Sequence, residues 1–65
     1  MGEDLETLRP SFLKLFASVP GPLRGEIIAV VDEQTYSWFS AYLEISNNTE
    51  KGNKILKFLK EASLL

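Results

Sequence analysis

The sequence predicts a small single α+β domain in the order helix, β-hairpin, helix (αββα). Three observations predict it. Apolar residues recur at helical spacing over residues 5–18, and again over residues 49–62. Between them lie two runs rich in β-branched and aromatic residues, over 26–31 and 36–45. All 65 residues then belong to one domain, 1–65, with no room for a second.

In the first segment Leu5, Leu8, Phe12, Leu15, Phe16 and Val19 form one apolar stripe, with Thr7, Pro10, Lys14 and Ser18 opposite. Pro10 has no N–H, so the favoured arrangement caps the helix at Thr7 and places Pro10 in its first turn. A regular helix over 8–18 with a looser turn before it follows. The loop Pro20-Gly21-Pro22 ends it.

Asp32-Glu33-Gln34-Thr35 separates the two predicted strands and reads as a type I turn. Such a turn sets Val31 opposite Tyr36, Ala29 opposite Trp38 and Ile27 opposite Ser40, unless a bulge intervenes. One face then carries Ile28, Val30, Phe39, Ala41, Leu43 and Ile45, and is expected to be core. The other carries Ile27, Ala29, Val31, Tyr36, Trp38, Ser40, Tyr42 and Glu44, and is also too apolar to be left wholly to water.

The last helix starts near Asn47, a capping residue, with Glu50 three positions on as its partner in a capping box. Ile55, Leu56, Phe58, Leu59 and Ala62 make its apolar arc, with Lys54, Lys57, Lys60 and Glu61 outside it. Gly52 projects onto the apolar side of the first turn. It is either merely tolerated there or required for close backbone approach.

A chain of this length buries only about 60% of its unfolded surface, so its core is marginal. Disulfides and His or Cys metal sites are closed to it, because it has no cysteine and no histidine. Association is the remaining route, and a lone hairpin leaves two unpaired edges. The expectation is a homodimer in which a second copy completes the hairpin into a larger sheet.

The net charge of −2 hides an asymmetry. Residues 1–50 carry eight acids against Arg9, Lys14 and Arg24, whereas residues 51–65 carry four lysines against Glu61. That is either a solvated helix face or a docking surface for something acidic. The apolar and charged fractions, 45% and 25%, are those of an ordinary globular domain. No apolar run approaches the roughly 20 residues of a membrane span. The acidic start is unlike a secretory leader, Glu6 departs from the myristoylation pattern, and Asn47-Asn48-Thr49 reads as capping chemistry before glycosylation. The cytoplasm is the expected location.

No phosphate-binding glycine loop, calcium loop or nucleophile–base pair is present, so neither catalysis nor a metal or other cofactor is expected. The one catalytic option is a carboxylate pair, Asp32 with Glu33 at the turn or Glu26 with Glu44 near the hairpin's far end. It would need one of these acids in a water-poor pocket.

Tyr36, Trp38 and Tyr42 are the candidate interaction surface. Alternation places all three on one hairpin face, where they can serve packing, a protein interface or base stacking. Lys54, Lys57 and Lys60 form a candidate basic face, with Lys51 nearby. Four acids and no bases between Glu26 and Ile45, and a pI of about 4.9, disfavour nucleic acid. The expected function is a non-enzymatic protein-interaction or assembly module, whose partner is itself or another protein. The alternative is a small nucleic-acid-binding or regulatory protein that uses the lysine face.

Overall fold

The first helix, α1, spans Leu5–Ala17 in the computed structural model, which describes residues 5–65. A single 3-10 turn, Gly21–Leu23, follows the Pro-Gly-Pro loop and leads into the hairpin. The hairpin pairs β1 (Ile27–Val31) with β2 (Gln34–Ser37), and two helices complete the chain, α2 (Trp38–Ser46) and α3 (Glu50–Glu61). The domain is thus α+β, with three helices and one antiparallel two-stranded sheet among the described residues.

The second strand is the main correction to the sequence reading. Residues 36–45 were expected to be extended, but the chain turns helical at Trp38. Ser37 is the reason. Its backbone stays extended (φ −86°, ψ 175°) and its Oγ accepts the Ser40 N–H at 3.2 Å. The Ser40 Oγ accepts the Ser37 N–H in return, at 2.8 Å, completing a reciprocal capping box. Inside the helix, Trp38, Ala41, Tyr42 and Ile45 follow the i, i+3, i+4, i+7 pattern and turn toward the core.

The hairpin turn is also tighter than expected. Asp32 and Glu33 alone form the loop, with φ of 53° and 65°, the left-handed pair of a type I′ turn. Its twist matches that of the strands, which a type I turn would splay. The register is therefore Val31 opposite Gln34, Val30 opposite Thr35 and Ala29 opposite Tyr36, not Val31 opposite Tyr36. A bulge between Ile27 and Ala29 then sets Ile27 opposite Ser37. The even shift in register leaves Ala29 and Tyr36 on one face, as expected, but this face is buried and Val30 is exposed. Of the later residues expected in the core, Ala41 and Ile45 are buried, whereas Phe39 and Leu43 are exposed.

α1 is helical from Leu5, so Pro10 lies inside it and not in a first turn capped by Thr7. Asn47 is not the N-cap of α3 but the C-cap of α2. Asn48 takes the left-handed position (φ 58°), its N–H bonding the Ile45 carbonyl while the Thr49 N–H bonds that of Glu44. That is a Schellman ending, which leaves Thr49 to open the next helix. Thr49 Oγ1 accepts the Gly52 N–H at 3.0 Å. α3 ends the same way, with Ser63 left-handed and the Leu64 N–H on the Leu59 carbonyl.

All three α-helices and both strands contribute to one core. Phe12 and Phe16 come from α1, Ala29 and Tyr36 from the hairpin, Ala41 and Ile45 from α2, and Ile55, Leu56 and Leu59 from α3. Each large side chain fully withdrawn from water contributes about 1.5–3 kcal/mol. The hairpin packs on α3 and α2 of its own chain. The accessible surface, 4278 Å², is close to the roughly 4,200 Å² that monomeric proteins of this mass expose.

Candidate interaction surface

The aromatic residues expected to share a hairpin face are distributed over two elements and turned inward. Tyr36, on β2, is buried, and its hydroxyl donates to Gln34 Oε1 at 3.1 Å. Trp38, at the start of α2, stacks on Phe12 of α1 with ring centroids 5.9 Å apart. Tyr42, one turn later, lies nearly parallel to Phe16 at 4.5 Å. α2 thus docks on α1 through two ring pairs, and such pairs add about 0.5–1.5 kcal/mol each beyond area burial. Half-buried Trp38 and Tyr42 remain at the margin of this core.

Arg24 closes one end of the aromatic cluster. Its guanidinium lies 4.5 Å from the centre of the Phe16 ring, and its Nε donates to the Val19 carbonyl at 3.2 Å. The cation thereby ties the 3-10 turn to the segment just after α1.

Arg9, a residue that the sequence reading left unassigned, organises the opposite corner. Its Nε donates to the Ile45 carbonyl at 3.2 Å, and its Nη2 donates to Asn48 Oδ1 and Asn53 Oδ1, both at 2.8 Å. One side chain of α1 thus holds the end of α2, the left-handed Asn48 and the first half of α3. Nothing in the local sequence around Arg9 signals contacts with residues 36 to 44 positions away.

The exposed apolar surface lies outside all of this. Ile27 and Val30 of β1 are 56% and 52% exposed, and Phe39 and Leu43 of α2 are 52% and 42% exposed. Phe39 and Leu43 are one helical turn apart and so share a face of α2, about 100° round the helix from Trp38 and Tyr42. Two backbone bonds tie the first turn of α2 to the segment just before β1: the Trp38 N–H meets the Glu26 carbonyl at 3.2 Å, and the Phe39 N–H meets the Arg24 carbonyl at 3.1 Å. Leu23, also exposed, sits at the same junction. The signal that could have found this surface was the capping box at Ser37 and Ser40: the helix it starts keeps Ala41 and Ile45 inward, brings Trp38 and Tyr42 against the core, and turns Phe39 and Leu43 out.

The acids singled out by the sequence are engaged separately. Asp32 Oδ2 pairs with Lys54 Nζ at 3.0 Å, and both side chains are solvent-exposed. Glu44 Oε1 is 2.6 Å from Thr49 Oγ1, nearer than the Glu44 carbonyl at 3.1 Å, and so the better acceptor for the one hydroxyl proton. Glu26 and Glu33 are exposed. Among the described residues no group of three or more Asp or Glu is placed to hold a metal ion, and no pocket is enclosed.

Lys54, Lys57 and Lys60 are all exposed on α3, as is Lys51. Lys54 is not free: its hydrogen bond to Asp32, and then the carboxylate's charge, raise its pKa above the usual 10.5. The basic face therefore spends one of its charges within the domain. No helix among the described residues is long and apolar enough to cross a membrane.

No protein-family model, curated protein or solved structure matches this chain.

Proposed function

We propose that this chain is a non-enzymatic assembly module that associates with a second copy through the outer side of β1 and α2. The observation that carries the reading is the exposure of Ile27, Val30, Phe39 and Leu43, together with Leu23; among the described residues the other exposed large apolar side chains are Phe58 of α3 and Leu64 just after it. Water gains nothing from five such side chains, and a symmetric partner would cover each patch with its counterpart.

The size of the patch sets the expected strength. A standard interface buries about 800 Å² per partner. That is roughly a fifth of the 4278 Å² available here, more than five half-exposed side chains supply. The association is accordingly weak and reversible, in the micromolar range or above.

Sedimentation equilibrium over a dilution series, from millimolar to low micromolar, tests this. The expected result is an average mass that rises from 7.3 kDa toward twice that value with concentration. A Phe39→Ser, Leu43→Ser double variant should stay monomeric and folded. A wild-type chain that remains at 7.3 kDa throughout would overturn the reading.

A further inference from the structure

We draw no further inference here: the strongest candidate, the exposed apolar ridge of Ile27, Val30, Phe39 and Leu43 on the outer side of β1 and α2, belongs to the surface already proposed, and nothing in the structure shows what covers it.

Discussion

Gly52 lies directly against the backbone of Glu44: a Cβ at Gly52 would stand 2.5 Å from the Glu44 carbonyl oxygen and 2.8 Å from its carbon. The obstacle is main chain, which cannot rotate away as a side chain could. Alanine is ordinarily about 0.5–1 kcal/mol better than glycine inside a helix. Here the sign should reverse. Gly52→Ala should cost about 1–3 kcal/mol in urea unfolding, the usual range for overpacking. Lys51→Ala, one residue earlier and exposed, should stay within about 0.5 kcal/mol of wild type.

Arg9 should matter more than its place on a helix surface suggests. Arg9→Ala removes three charge-assisted bonds and should destabilise by about 1–3 kcal/mol. Arg9→Lys should recover only part of this, because a single ammonium lacks the fork that reaches Ile45, Asn48 and Asn53 together. Urea midpoints of the three proteins would rank wild type, then Lys, then Ala. Equal midpoints for Lys and wild type would mean that charge alone, and not the fork, holds the corner.

The hairpin turn carries removable strain. Asp32 and Glu33 both sit in the left-handed region, which disfavours residues with a Cβ by about 1–2 kcal/mol each. Glu33→Gly should therefore stabilise the domain by about 0.5–1 kcal/mol, allowing for glycine's greater freedom when unfolded. The change leaves Asp32 and its pair with Lys54 in place. Thermal unfolding reads the shift, and a lower midpoint would contradict the left-handed turn.

The pair between Lys54 and Asp32 makes a small pH-dependent contribution of definite sign. Because folding raises the Lys54 pKa, its contribution is complete below 10.5 and is lost as pH climbs through the folded value. Asp32→Asn should return the Lys54 pKa toward 10.5, as followed by NMR of the side-chain ammonium. High salt should do the same, since both groups are exposed. An unchanged titration in Asp32→Asn would mean that Asp32 is not the cause.

Helical periodicity made α1 and α3 legible: expected over 5–18 and 49–62, they run Leu5–Ala17 and Glu50–Glu61. The first strand was legible from its β-branched run. Residues 38–45 were not, because Trp38, Phe39, Ala41, Tyr42, Leu43 and Ile45 satisfy two periods at once. Aromatic content favoured the strand, and two serines three apart decided for the helix. That one choice moved the candidate surface, because it turned Trp38 and Tyr42 onto α1 and Phe39 and Leu43 outward. Arg9 shows the other limit: its partners are distant in sequence, and only the assembled helices bring them together.

Backbone amide chemical shifts, recorded by NMR as the protein is diluted, test the proposed surface most directly. The account expects concentration-dependent shifts at Ile27, Val30, Phe39 and Leu43, with Ile55, Leu56 and Leu59 unmoved. Shifts confined to the lysine face of α3, or none at any concentration, would contradict it.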